Sequence, residues 1–249
     1  MMSRLPIAVA LLACCLMSVR SAPADARMPM PAPAVHDDFD HYTLALTWQP
    51  GFCIDGSCLP DTPHAPPIGI HGLWASLPRS LADRGIVNRQ WWSKGCDYFH
   101  HSDAAPSLPV SVRHDLDATM PHTKSDLLRH EYDKHVQCFG FDPASFFRTE
   151  LAMRDAVAAT PFAADLIART GQVATRDMLL ASFARSFRTS WPRALQLQCH
   201  TDRSGRSVLA QLWITIRQDR VADFPAPGSL TNSPVPQDNC PDSFTVPGW

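Results

Sequence analysis

Residues 130–135 (HEYDKH) place two imidazoles, a carboxylate and an ammonium within six positions of the chain. In a helix, at about 100° per residue, His130, Glu131, Lys134 and His135 fall within an arc of roughly 140°. Four titratable groups on one helix face repel and desolvate one another, so a purely structural helix has little reason to collect them. Such a cluster is typical of a site that moves protons beside a phosphate.

A zinc site and a salt-bridged surface helix are two other interpretations of this run. The His-Glu-x-x-His zinc motif needs its second histidine four residues after the first, but Lys134 occupies that position and would repel a metal. A surface helix, with Glu131 close to His135 and His130 close to Lys134, stays open on these six residues alone. Cys138 weakens it, because a disulfide there would fasten this face to the protein body.

The second informative run, residues 70–74 (IHGLW), reads as a short strand. In a regular strand Ile70 and Trp74 share one face with Ile68, while His71 and Leu73 share the other. One interpretation places Trp74 in the core and leaves His71 as a partly buried, hydrogen-bonded imidazole. The other makes His71 a second proton-transfer group.

The bulk composition limits the classes of protein that fit. The chain has 249 residues, of which 45% are hydrophobic, and a net charge of −2, which suits one globular domain. The near-neutral charge argues against a broad basic surface that coats nucleic acid. It leaves room for an enzyme that handles one phosphate at a time in a local pocket.

The N-terminal 26 residues are predicted to be a signal peptide. Arg4 precedes an apolar stretch at 5–19 that is too short to span a membrane comfortably, and residues 24–26 form an A-x-A cleavage site. A lipoprotein signal ending at Cys14 is the alternative, but the leucine at position 12 is atypical of it, so we favour ordinary cleavage. We expect an exported protein, periplasmic or secreted, without a transmembrane segment.

Export determines how the cysteines are interpreted. Six remain after cleavage, and an even number in an oxidising compartment predicts up to three disulfides among 15 connectivities. Cys53 and Cys58 are close enough to close a small loop. The other four are Cys96, Cys138, Cys199 and Cys240.

The order of the predicted elements favours an α+β fold. Strands at 42–48 and 68–74 precede helices at 110–119, 126–136, 143–159 and 175–187, and strands at 194–199 and 207–217 follow. Without a βαβ alternation, this order predicts a single domain with several helices on a central mixed or antiparallel sheet, stapled by disulfides. We place it at 41–249, after a flexible Pro-rich leader at 27–40.

Together the two runs resemble the signature segments of the ribonuclease T2 family, which read close to His-Gly-Leu-Trp-Pro and His-Glu-aromatic-x-Lys-His-Gly-x-Cys. The resemblance extends from about Tyr42 to Cys240 and is greatest to bacterial periplasmic members. This chain departs from the pattern at Ala75, where the family has proline, and at Val136, where it has glycine or alanine. Neither departure removes a proton-transfer group, so we expect activity to survive.

The resemblance implies roles for the site residues. His135 would be the general base and His71 the general acid, with Lys134 stabilising the phosphoryl charge and Glu131 steering protonation. His130 would hold phosphate, and Trp74 would stack a base. It also implies the disulfides Cys96–Cys138 and Cys199–Cys240, with Cys53–Cys58 as the local third.

The function that follows is cleavage of single-stranded RNA by attack of its own 2′-OH, which gives 2′,3′-cyclic phosphates and then 3′-phosphates. This chemistry needs no metal or other cofactor, and the requirement for a 2′-OH predicts that DNA is not cut. We expect a monomer. The alternatives are a catalytically weakened relative that serves as a binding or inhibitory protein, and a metal-dependent phosphodiesterase.

Overall fold

A computed structural model describes residues 32–102 and 104–249. The predicted signal peptide and the first part of the predicted leader, residues 27–31, lie outside the described residues. None of the helices in the described ranges is long and apolar enough to cross a membrane.

Six strands form one mixed sheet at the centre of the fold. They are β1 (His41–Trp48), β2 (Ile68–Ala75), β3 (Val173–Thr175), β4 (Leu195–Thr201), β5 (Ser207–Arg217) and β6 (Ser243–Thr245). Their order is β2-β1-β5-β6-β3, and β4 also pairs with β5. The pairs are antiparallel except for the one between β5 and β6. The predicted α+β class and mixed sheet are confirmed.

The described residues also form eight α-helices. They are α1 (Gln49–Phe52), α2 (Arg79–Ala82), α3 (Asn88–Lys94), α4 (Val110–Asp117), α5 (Leu127–Glu131), α6 (Pro143–Ala158), α7 (Pro161–Ala168) and α8 (Arg176–Phe187). Caps set where they begin: the Asp142 carboxylate accepts from Ser145 N at 2.8 Å, and Pro143 follows as the first helical residue. Helices α1, α2 and α3, of four to seven residues, were not predicted, because helices this short depend on tertiary packing. Helix α7 was also missed.

The remaining helical segments in the described ranges are short π- and 3₁₀-helical stretches of one or two turns. Tyr132–Val136 is a π-helix that continues α5 directly. Short 3₁₀ turns lie at Gly95–Tyr98, Gln137–Phe139, Gln218–Asp223 and Pro227–Ser229.

Both ends of the described chain pack on the domain. Phe39 is only 1% exposed and contacts Phe139, whose carbonyl also accepts from the backbone N–H groups of Ala34 and Val35. The described end of the predicted flexible leader is therefore held against the domain, because burying its aromatic ring anchors it. At the other end, the Trp48 indole donates to the Pro247 carbonyl at 2.8 Å.

All three predicted disulfides are present. Cys53–Cys58, Cys96–Cys138 and Cys199–Cys240 are bonded, at sequence separations of 5, 42 and 41 residues. Of these, Cys96–Cys138 ties the turn after the π-helix to the 3₁₀ turn at Gly95–Tyr98.

Candidate active site

One cleft of ≈ 320 Å³ collects every catalytic, phosphate-binding and base-binding residue predicted from the sequence. Strand β2, helix α5 and the π-helix contribute them. They are His71, Trp74, His130, Glu131, Lys134 and His135.

A β-bulge in β2 carries the first histidine. Ala45 of β1 pairs with Gly72, whereas Leu46 pairs with Ile70, so His71 is the extra residue between them. A bulge of this kind bends a strand and redirects its side chains, and bulges are common beside active sites.

The bulge changes which side chains of β2 face the core, so the predicted faces of this strand need correction. Ile68 and Ile70 are buried before it, and after it the core positions are Leu73 and Ala75. Trp74 therefore lines the cleft. The prediction that it shares a face with the isoleucines, and that Leu73 shares one with His71, is wrong, because an inserted residue reverses the alternation.

The second run is likewise not one regular helix. The predicted helix at 126–136 has Asp126 as its cap, runs as an α-helix only to Glu131 and then becomes π-helical through Val136. A π-helix has i→i+5 hydrogen bonds, and such turns occur frequently at functional sites. Cys138 lies in the following 3₁₀ turn rather than on a continued α-helix.

The two nitrogens of His71 face different partners. Nδ1 lies 2.7 Å from Gln211 Oε1, and Nε2 lies 3.4 Å from Glu131 Oε1. Burial lowers the pKa of this imidazole, but the Glu131 carboxylate and the hydrogen bonds outweigh burial, so the pKa of His71 is raised. His71 is thereby stabilised as imidazolium.

Glu131 is 2% exposed and stays ionised through its partners. Its Oε2 accepts from the Trp74 indole at 2.5 Å. Burial raises the pKa of this carboxyl, but the charge and hydrogen bond of His71, with His135 and Trp74, lower it to about 2. Gly72 makes the arrangement possible, because a Cβ there would collide with the Glu131 carboxylate and the Trp74 indole.

His135 has the opposite environment. Its Nδ1 is buried and has no hydrogen-bond partner within the described ranges, and its ring lies 5.3 Å from that of Trp74. The pKa of His135 is lowered to about 4: burial is the largest cause, Glu131 opposes the shift, and the charges of Lys134, His130 and His71 add to it. This imidazole is therefore neutral near pH 7.

The remaining predicted residues lie around this pair. His130 is exposed at the cleft, and Lys134 is partly buried. Trp74 contacts the rings of His71, His135 and Trp213. Its indole also donates to Glu131 and helps to lower the pKa of that carboxyl. Trp74 therefore supports the charged cluster in addition to being a candidate for stacking a base.

Several residues that line or support the cleft were not predicted. Strand β5 contributes Trp213 to the lining and places Gln211 behind His71, while α3 contributes Asn88 and the partly exposed Trp92. Residues 233–237 form a further part of the wall. Alternation along β5 places Gln211 and Trp213 on one face, but only the pairing of β5 with β1 brings them to the site.

Comparison with known proteins decides the family. The model of the Ribonuclease T2 family matches residues 39–224. Over 241 residues, covering 85% of this chain and 87% of the relative, the sequence is 30% identical to Ribonuclease I of Escherichia coli (strain K12). The chain belongs to the ribonuclease T2 family. It is a T2-type endoribonuclease, and its substrate is RNA.

Solved structures share the fold. Ribonuclease MC1 from the seeds of bitter gourd aligns over 83% of this chain and 100% of its own, with a TM-score of 0.55 and 18% identity. RNase NT in complex with 5′-AMP aligns over 85% of this chain and 100% of its own, with a TM-score of 0.54 and 16% identity. At these identities the likeness establishes the T2 fold.

Proposed function

We propose that this T2-type endoribonuclease cleaves single-stranded RNA by metal-independent transesterification. The products are a 2′,3′-cyclic phosphate and a free 5′-OH, and water then opens the ring to a 3′-phosphate. The observation that carries this proposal is one cleft that holds two differently placed histidines. His71 is paired with Gln211 and Glu131, whereas Nδ1 of His135 is buried without a partner in the described ranges, and these surroundings shift the two pKa values in opposite directions.

In the first step His135 is neutral, and its Nε2, which carries no proton, removes the proton of the 2′-OH. The 2′-oxygen then forms a bond to the adjacent phosphorus while the bond from phosphorus to the 5′-oxygen breaks. His71 delivers its Nε2 proton to the departing 5′-oxygen. Because the nucleophile is tethered to the phosphate, proximity is built into the substrate, and general acid–base catalysis by each histidine contributes typically 10²–10⁴-fold.

In the second step the same groups act in reverse. His71, now neutral, takes a proton from water, and the resulting nucleophile attacks the cyclic phosphate. His135 returns its proton to the 2′-oxygen as that bond breaks. Both histidines then regain their starting protonation states.

The neighbouring residues support these transfers. Glu131 favours the charged form of His71, as its 3.4 Å contact supports. Lys134 stabilises negative charge on the phosphoryl oxygens, His130 holds phosphate at the cleft, and Trp74 stacks a base. Ala75 is buried and Val136 is 2% exposed, so both departures from the family pattern lie in the core.

We further propose that the protein is exported and acts as a monomer. The apolar stretch near the N-terminus supports export, and the three disulfides fit an oxidising compartment. The six proposed site residues all line one cleft of a single chain, so the proposed site needs no residue from a second subunit.

The experiment is incubation of the purified mature protein with RNA and with DNA of matched sequence, both in EDTA. We expect RNA fragments with 2′,3′-cyclic ends and intact DNA. Loss of RNA cleavage in EDTA, or equal cleavage of DNA, would overturn the mechanism. Absence of any RNA cleavage would instead favour the weakened binding protein.

A further inference from the structure

Gln211 is a buried side chain behind the proposed acid. It lies on β5, is 8% exposed, and its Oε1 is 2.7 Å from Nδ1 of His71. A buried amide is costly unless its polar atoms are paired, so its partners carry information.

The orientation of the Gln211 amide follows from Trp213. The Trp213 indole Nε1 lies 3.0 Å from Gln211 Oε1. An indole nitrogen can only donate a hydrogen bond, so the atom that faces it must be the amide oxygen. A flipped amide would place its NH₂ group against the indole N–H.

The tautomer of His71 follows in turn. Because Gln211 Oε1 is an acceptor, Nδ1 of His71 must carry a proton in order to make its 2.7 Å hydrogen bond. The proton at Nε2 is then the one that can be exchanged. Nε2 faces Glu131 and the cleft, where a leaving group would be protonated.

We infer that Gln211 is a positioning residue that keeps the Nδ1 proton of His71 in place and leaves Nε2 as the nitrogen that exchanges protons with RNA. This inference rests on the proposed function of His71. In serine hydrolases a carboxylate holds the tautomer of the catalytic histidine in this way. Here a neutral amide does so, and Trp213 holds the amide.

The groups around His71 affect its charge and its tautomer separately. Glu131 from α5 attracts its charge, while Lys134 from the π-helix opposes it. Phe52 from α1 contributes only a ring edge, at 5.4 Å. Glu131 thus favours the charge, and Gln211 determines which nitrogen releases the proton. Because the Gln211 amide is neutral, it adds no second negative charge beside His71.

The test compares Gln211→Met with Gln211→Glu. Methionine has a similar volume, but its thioether sulfur is only a weak acceptor for the Nδ1 hydrogen. We therefore expect kcat/KM at neutral pH to fall about 10-fold, the scale of one hydrogen bond to a charged group. The basic limb of the pH profile should move to lower pH by about one unit, with KM little changed. Glutamate retains an acceptor and should restore the limb to the wild-type position or above it.

Thr215→Val is the matched control. Thr215 lies on the same face of β5, is 1% exposed, and its Oγ1 has no partner within the described part of the chain. Its replacement should leave the pH profile of kcat/KM unchanged.

A second measurement does not depend on activity. The ¹⁵N shifts of His71 should show the Nδ1–H tautomer when it is neutral in the wild-type protein, and a mixture of tautomers in Gln211→Met. Trp213→Phe, which removes the indole donor but keeps an aromatic ring, should give a smaller change in the same direction.

An unchanged tautomer, with activity reduced equally at every pH, would overturn the inference and leave Gln211 a structural residue. Failure of the wild-type protein to form cyclic ends would instead overturn the proposed function, while the tautomer measurement would still decide the role of Gln211.

Discussion

His71 and His135 have the same type of side chain and line the same cleft, yet their surroundings favour opposite protonation states. His71 has a partner at each nitrogen, the Gln211 amide and the Glu131 carboxylate. His135 has a buried Nδ1 without a partner in the described ranges, next to Lys134. In the proposed mechanism, these neighbours, rather than the residue type, assign the acid and the base.

The backbone at the two histidines belongs to different types of secondary structure, but in both places that structure is irregular. His71 is the extra residue of a β-bulge, and His135 lies in a π-helix. Each irregularity interrupts a regular hydrogen-bonding ladder and re-aims the side chains around it. The two histidines of the candidate site therefore lie where a strand and a helix depart from regular geometry.

Removing either histidine should produce the largest effect and should also tell the two apart. His71→Ala and His135→Ala should each lower kcat/KM at least 10²-fold, since each removes one proton-transfer group. The acidic limb of the pH profile reports deprotonation of the base, and the basic limb reports loss of the proton from the acid. His71→Ala should therefore remove the basic limb, and His135→Ala the acidic limb.

His114→Ala is the control for these two variants, because the His114 side chain is 82% exposed on α4. It should retain wild-type activity. If His71→Ala removed the acidic limb instead, the assignment of acid and base would be reversed.

Glu131→Gln should reduce the contrast between the histidines. The amide can still accept from Trp74 but no longer attracts the charge of His71, so the pKa of His71 should fall. An opposite charge at this range typically changes a pKa by about 1 to 3 units. The basic limb should move to lower pH, with kcat/KM at neutral pH falling about 10- to 10²-fold. An unmoved basic limb would show that Glu131 does not set the protonation of His71.

Gly72→Ala should disturb the same pair by steric means. The added Cβ would collide with the Glu131 carboxylate and the Trp74 indole, so Glu131 must move away from His71. We expect kcat/KM to fall roughly 10-fold, the scale of one hydrogen bond to a charged group. Gly228→Ala is the matched control, because a Cβ added there would meet no heavy atom within 4 Å apart from those of Gly228 and its two chain neighbours. Equal activity of the two variants would contradict the close contact.

Glu150→Gln should have the smallest effect on activity and should alter stability instead. Glu150 is 1% exposed, and burial, then the Glu131 charge, raises its pKa well above 4.5. The native state therefore favours the neutral carboxyl more than the unfolded state does. This cost to the native state grows as pH rises above 4.5 and levels off only above the native pKa.

The glutamine variant should consequently unfold with a free energy higher by on the order of 1 kcal/mol at pH 7, with little difference near pH 3.5. Urea unfolding at the two pH values measures this, and the pH profile of kcat/KM should not move. A variant that is less stable at pH 7 would show that the Glu150 charge is used in the native protein.

The sequence was sufficient to predict the features of the fold and the candidate site that depend on residue type. The order of strands and helices predicted the α+β class, and the two motifs selected residues that meet in one cleft. The β-bulge could not be predicted, because it arises from the pairing of β2 with β1, and it reversed the predicted orientation of Trp74. Gln211 was missed for a related reason: its contact with His71 spans 140 residues.

The central claim is that the two histidines titrate far apart, and NMR titration of the mature protein with assigned imidazole resonances tests it most directly. We predict that His71 titrates above 6.5 and that His135 stays neutral until the pH falls to about 4. Two midpoints close to 6.5, or His135 titrating above His71, would contradict the account.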